Sequence, residues 1–196
     1  MSANPNGKEN RTIKSPARLS HAGLRTTRLK EMVEWYGTVL GAKVLYENEF
    51  IAFMTYDDEH HRIALAAFPG LIDKPKRTTG LDHLAFFYET LGDWITNYER
   101  LKEAGITPRV CIHHGITMSL YYRDPEDNGV ELSIDSVPKA EWHSWMQNRL
   151  GENVIGGPLD PDDIARKYHA GVPEDELRHY DPKKPVDMAV IRRLAE

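Results

Sequence analysis

Residues 114–134 read HGITMSLYYRDPEDNGVELSI, and this stretch decides the fold. Two strands are expected in it, Thr117–Arg123 and Val130–Ile134, joined by the turn Asp124-Pro125-Glu126-Asp127-Asn128-Gly129. Pro125 fixes φ, and Asn128-Gly129 tolerates the positive φ that a hairpin connection often needs. In the second strand Val130, Leu132 and Ile134 alternate with Glu131 and Ser133, so Glu131 points away from the apolar row. A carboxylate on the inward side of a sheet is costly unless a cation or a donor meets it. The reading of the whole chain turns on what meets Glu131.

Upstream, the same order of elements occurs twice. Leu81–Phe87 is a predicted strand carrying His83. Thr90-Leu91-Gly92-Asp93 opens a helix with a capping box; Trp94, Ile95, Tyr98 and Leu101 share one face of it, and Gly105 ends it. Three strands follow: Thr107–Cys111 and the two of the hairpin. Earlier, Arg18–Leu24 is a predicted strand carrying His21. A helix over Leu29–Leu40, capped by Thr26 or Thr27 and closed by Gly41, places Leu29, Met32, Val33, Tyr36 and Leu40 at helical spacing. Strands Lys43–Glu47, Phe50–Tyr56 and Arg62–Ala67 complete that unit. His21 and His83 stand at the same place in the two copies. A β-α-β-β-β unit cannot bury its own sheet, so the expectation is an α+β fold of two tandem modules, with helices outside a cupped mixed sheet. The expected divisions are a flexible tail over 1–17, modules over 18–68 and 81–135, a Pro/Gly linker over 69–80, and a helical extension over 136–196.

The extension breaks the repeat. It is expected to hold helices over Ala140–Leu150 and Asp160–Ala170, the second with Asp160 as cap, Pro161 at the first position and Gly171 as stop. A further turn is expected over Pro173–His179, with little core signal after Tyr180. Such a tail covers one face or supports a dimer contact. Trp142 and Trp145 read as packing residues, and His143, His169 and His179 as surface ones.

Composition narrows the function. Of 196 residues, 40% are hydrophobic and 28% charged, with a net charge of −5, which lends no support to nucleic-acid or anionic-membrane binding. The single cysteine, Cys111, leaves no internal disulfide and suits a reducing, cytoplasmic compartment; it reads as an inert buried thiol. No apolar run approaches the roughly 18–20 residues of a membrane span, and the polar first 15 residues lack the apolar core of a secretory signal.

His21, His83 and Glu131 are distant in sequence, so only the fold can unite them. Two histidines and one carboxylate on one face of a divalent metal leave several positions open, an arrangement suited to non-haem Fe(II) acting on dioxygen. Over roughly residues 18–135 the chain resembles the vicinal oxygen chelate superfamily, and within it the type I extradiol ring-cleavage dioxygenases. The motifs that carry the resemblance are Tyr121 followed by Asp124-Pro125 and Glu131, the His114-Gly115-Ile116-Thr117 segment, and His61 in HHRIAL. The resemblance implies metal ligands at His21, His83 and Glu131, Fe(II) or Mn(II) as cofactor, a catechol-type diol and dioxygen as substrates, and a homodimer. It further implies His61 as proton carrier, His114 as the residue orienting a substrate hydroxyl, and Tyr121 as donor to a bound oxygen. The family usually has two more residues between its His-Gly-Ile-Thr segment and the tyrosine, so either His113 or His114 reaches the site. Tyr122 points to the other face.

Relatives such as glyoxalase I supply a second carboxylate from the fourth strand of the first module. Laying Arg62-Ile63-Ala64-Leu65 over Gly129-Val130-Glu131-Leu132 puts Ala64 there, which binds no metal. The vacancy favours dioxygen chemistry over a lyase or isomerase using Zn, Ni, Mn or Co. A non-catalytic protein that sequesters an aromatic ligand in the cup would need no such trio.

Overall fold

The computed structural model describes residues 13–76, 78–148, 155–186 and 188–195. The first module contains β1 (Ala22–Arg25), α1 (Leu29–Leu40), β2 (Lys43–Glu47), β3 (Ile51–Thr55) and β4 (Ile63–Ala66). The second contains β5 (His83–Phe87), α2 (Leu91–Glu103), β6 (Val110–His113), β7 (Thr117–Arg123) and β8 (Gly129–Asp135). The C-terminal extension adds α3 (Trp142–Asn148), β9 (Gly157–Pro158), α4 (Pro161–His169), α5 (Glu174–Leu177) and α6 (Met188–Ala195).

The repeat yields two sheets rather than one continuous sheet, in the orders β1-β4-β3-β2 and β5-β8-β7-β6-β9. In each, the first strand lies parallel to the fourth and the remaining pairs are antiparallel. One apolar cluster joins the modules and part of the extension, from Met32 and Tyr36 on α1 through Trp94 and Leu101 on α2 to Leu132 on β8 and Ala165 on α4. Burying such side chains contributes on the order of 1.5–3 kcal/mol each. Thr90 caps α2 by accepting from the Asp93 amide at 3.0 Å, and Asp160 caps α4 by accepting from Asp162 and Asp163. Neither Thr26 nor Thr27 occupies the cap position of α1, which falls to Arg28; the Thr26 hydroxyl accepts from the Arg28 amide at 2.8 Å.

The Asp124–Gly129 turn fastens the two modules together. The Asp124 carboxylate, only 5% exposed, accepts from the amides of Glu126 and Asn128, from Asn128 Nδ2, and from the Tyr36 hydroxyl of α1. Glu126 accepts from the Thr26 hydroxyl and the Thr27 amide, both at 2.7 Å. Four donors make the buried Asp124 tolerable where a bare carboxylate would not be. The positive φ of this turn falls on Asp127 (60°), not on Asn128 or Gly129. Asp tolerates that region because its short polar side chain can bond locally.

Several element boundaries differ from the sequence reading. β1 begins at Ala22, because its ladder reaches only along the four residues of β4, so His21 lies just before the strand. β5 begins at His83 itself. The second strand of the second module starts at Val110 and runs on to His113, where β7 pairs along its whole length and β9 pairs with Ile112 and His113. The predicted helix over 140–150 is a short 3-10 turn, Lys139–Glu141, continued by α3; its last two residues lie outside the described ones, as do residues 1–12 of the expected tail and residue 77 of the linker. The chain beyond Tyr180 does join a core, because Val186 is buried against Val110 and Ile112, with Val190 packed beside them. Among the described residues no helix is long and apolar enough to cross a membrane.

Candidate functional site

The two parallel ladders set equivalent positions in the modules. Ala22 pairs with Ile63 and Gly23 with Ala64; Leu84 pairs with Val130 and Ala85 with Glu131. Counting two residues on from each histidine therefore leads to Ala64 in the first module and Glu131 in the second. Ala64 thus stands where a second carboxylate would stand.

In the second module the histidine and the carboxylate meet. His83 Nε2 lies 2.8 Å from Glu131 Oε2, and His83 Nδ1 lies 2.6 Å from Asp82 Oδ2. Hydrogen bonding to Glu131 pushes the His83 pKa up to about 9, opposed by burial and assisted by Asp82. Glu131 is 7% exposed. Burial alone would raise its pKa, but bonds from His83 and Ser119 hold the carboxyl below its usual range. The Tyr121 ring stands edge-on to His83 with centroids 5.4 Å apart, and its hydroxyl is 2.7 Å from His114 Nε2. The approach of β8 to β5 requires Gly129: a Cβ there would stand 2.9 Å from the His83 Cβ and collide with the Asp82 carbonyl. Close approach, and not a turn conformation, is what this glycine provides.

In the first module the two histidine rings of His21 and His61 lie close together. The His21 ring lies 4.3 Å from the His61 ring, which lies 4.9 Å from Phe53, and His61 Nδ1 is 2.6 Å from His60 Nδ1. Burial lowers the His61 pKa, and the neighbouring His21 and His60 lower it further. Arg62 donates to the carbonyls of Leu19 and Ser20 at 2.9 and 3.0 Å while its Nε binds Asp57, which ties down the chain just before His21. His21 and His83 line one cavity of about 490 Å³ with Tyr56, Arg62 and Phe86. That volume suits a small organic ligand. Among the described residues no three His, Cys, Asp or Glu side chains converge on one point that could hold a metal ion. The structure pairs His83 with Glu131 and His21 with His61.

His113 and His114 part ways. His113, 5% exposed, donates from Nε2 to the Arg178 carbonyl at 3.0 Å, accepts at Nδ1 from the Gly115 amide at 3.1 Å, and stacks near Tyr180. Burial pushes its pKa down to about 4, so it is a neutral structural residue. His114 is the one that meets Tyr121. Tyr122 is fully buried on the far face, and burial pushes the Cys111 thiol up to about 12, leaving it unreactive at neutral pH. Trp145 and Tyr180 cover Gly115, Trp142 donates to the Val137 carbonyl at 3.0 Å, and His143, His169 and His179 are exposed.

Sequence reasoning missed Asp82, Arg62 and the extension's contacts with His113 and His114. Asp82 beside a candidate ligand histidine was a visible signal. A carbonyl such as that of Arg178 or Ile155 leaves no trace in a sequence.

A fold of paired β-α-β-β-β modules, with a histidine at or just before the start of each first strand and a buried carboxylate on the fourth strand of the second module, defines one class of protein. Residues 18–132 match the profile of the Glyoxalase/Bleomycin resistance protein/Dioxygenase superfamily, and the chain belongs to it. It is 46% identical over 164 residues (82% of this chain, 86% of the relative) to a Rhodococcus globerulus protein named biphenyl-2,3-diol 1,2-dioxygenase 3. It is 40% identical over 163 residues, with the same coverage, to biphenyl-2,3-diol 1,2-dioxygenase 2 of that organism. A crystal structure of a glyoxylase/bleomycin resistance protein/dioxygenase domain from Frankia sp. EAN1pec superposes with a TM-score of 0.52 at 26% identity, covering 62% of this chain and 99% of that one.

Proposed function

We propose that the chain is an extradiol dioxygenase that opens a catechol-type ring beside its two hydroxyls with dioxygen, and that His21, His83 and Glu131 hold the Fe(II) it requires. The observation that carries this reading is the buried Glu131 carboxylate meeting His83 at 2.8 Å, with the His83 ring in the cavity that His21 also lines. Two donors about 2.1 Å from a divalent ion and at right angles stand about 3 Å apart. The pair is therefore spaced as two groups that could share one cation, in place of the proton they now share. The donor set of two imidazoles and one carboxylate suits Fe(II) and equally accepts Mn(II).

Held by these residues, such a metal would supply a shared binding point for the diol and dioxygen and a path for electron density between them. The chain's own residues do the rest. Asp82 orients the His83 ring through Nδ1. His61, whose ring lies 4.3 Å from that of His21, is held in its neutral form by burial and by the neighbouring imidazoles, so it is placed to accept a proton from the diol. Tyr56 and Phe86, 5.9 Å apart, give the cavity aromatic walls. The relatives named for biphenyl-2,3-diol make an aryl-substituted catechol the first substrate to try.

The reading includes a homodimer in the cytoplasm. The exposed edge strand β2 bears Val44, Leu45 and Tyr46, which a second chain would cover, and one unpaired cysteine suits a reducing compartment.

The test is anaerobic loading with Fe(II), addition of biphenyl-2,3-diol, and then admission of oxygen. The expected result is oxygen uptake together with a yellow ring-opened product. Metal-dependent turnover without oxygen would instead identify an isomerase or lyase, and tight diol binding by metal-free protein without turnover would identify sequestration.

A further inference from the structure

His114 sits between two partners of different kinds. Its Nδ1 is 2.5 Å from the main-chain carbonyl of Ile155 in the C-terminal extension, and its Nε2 is 2.7 Å from the Tyr121 hydroxyl. A carbonyl oxygen only accepts, so Nδ1 must carry hydrogen; in the neutral ring Nε2 is then a bare acceptor, and Tyr121 must donate to it. Burial lowers the His114 pKa, which favours the neutral ring.

The carbonyl is not a chance neighbour. Gly157 pairs with His113 in the β9–β6 ladder, and the Val186 amide donates to the Gly156 carbonyl at 2.9 Å. Gly156 has φ 118°, where a side chain is strained, and a Cβ there would stand 2.8 Å from the His114 Cα. The chain is thus built to lie directly against His113 and His114.

We infer that the C-terminal extension completes the site: the Ile155 carbonyl locks His114 as the Nδ1–H tautomer, so Tyr121 gives its proton to His114 and presents only lone pairs to a bound hydroxyl. In one respect this rests on the proposed function, namely that a diol binds beside His83. Given that, the polarity expected of Tyr121 is reversed, because it accepts from an un-ionised substrate hydroxyl. Ile155 is a positioning residue, acting through its main chain.

The test is nitrogen NMR of the full chain with ¹⁵N-labelled histidine rings, the His114 signal being the one that His114→Gln removes. Expected are a protonated Nδ1 and a bare Nε2 at neutral pH, a pattern retained in Tyr121→Phe because the carbonyl sets it. Gly156→Ala, which pushes the 155–157 segment off, should convert the ring to the other tautomer or to a mixture. If that variant fails to fold, the wild-type and Tyr121→Phe spectra decide alone. A wild-type ring protonated at Nε2 and bare at Nδ1 would overturn the inference, as would a pattern lost in Tyr121→Phe. The spectra require no turnover, so a failed dioxygenase assay leaves this result standing, and the converse holds.

Discussion

In the second module His83 is the first residue of β5, paired across the ladder with Gly129, and its ring is clasped by Asp82 and Glu131. In the first module His21 lies one residue outside β1, and the position equivalent to Gly129 is Arg62, whose guanidinium binds the carbonyls before His21. One histidine is positioned by backbone closeness and buried charge, the other by a side-chain clamp at an exposed strand end. The C-terminal extension adds to the asymmetry, since it braces β6 and His113–Gly115 of the second module through β9, Arg178, Trp145 and Tyr180. Duplication of a module supplies two similar strand ends, and unequal support leaves one histidine clasped by carboxylates and the other held at an exposed end by Arg62.

That contrast can be broken by restoring symmetry. Ala64→Glu should place a carboxylate opposite Gly23 as Glu131 stands opposite Ala85, tightening metal retention and abolishing oxygen-dependent turnover by filling an open position. Metal analysis after dialysis and an oxygen electrode read the two effects. Weaker metal retention with turnover intact would show the two positions are not equivalent.

A second test addresses the brace. His113 has its pKa pushed down to about 4 by burial, against an ordinary value of 6.5. Between these values the unfolded chain takes up a proton that the native chain refuses. The His113 contribution is therefore complete above pH 6.5 and is lost as pH falls toward 4, by roughly 3 kcal/mol in all. Urea melts at pH 7 and pH 4.5 should show this loss, and His113→Gln should remove most of the difference.

Gly129→Ala is expected to lower stability by roughly 1–3 kcal/mol, because β8 must move away from Asp82 and His83. Metal affinity should fall with it. Arg62→Ala should do nearly the reverse, changing the melting temperature little while weakening metal retention by about 10–100-fold, the range for groups that orient a ligand. Equal effects of the two variants on both readouts would erase the distinction between the two histidine positions.

Much of this was legible in the sequence for physical reasons. Helix caps at Thr90 and Asp160, the periodicity of α1 and α2, and the alternation in β8 are local signals, and they carry the element order and the α+β class. Setting Ala64 over Glu131 needed only the repeat, and the ladders reproduce that equivalence. What escaped was long-range. The need for Gly129 comes from a strand 46 positions away, counting from His83 to Gly129. The packing of Val186 and the choice between His113 and His114 depend on which chain segment lies against β6. The residue types at these places are the same whether or not that segment docks, so no pattern in them could decide it.

The central claim is that one divalent ion joins the two halves. A crystal structure of the full chain loaded anaerobically with Fe(II), with anomalous scattering recorded at the iron edge, tests it directly. The account predicts a single peak bonded to His21, His83 and Glu131, with Ala64 facing an open position. A peak bonded to His83 and Glu131 alone, with His21 still stacked on His61, would contradict it.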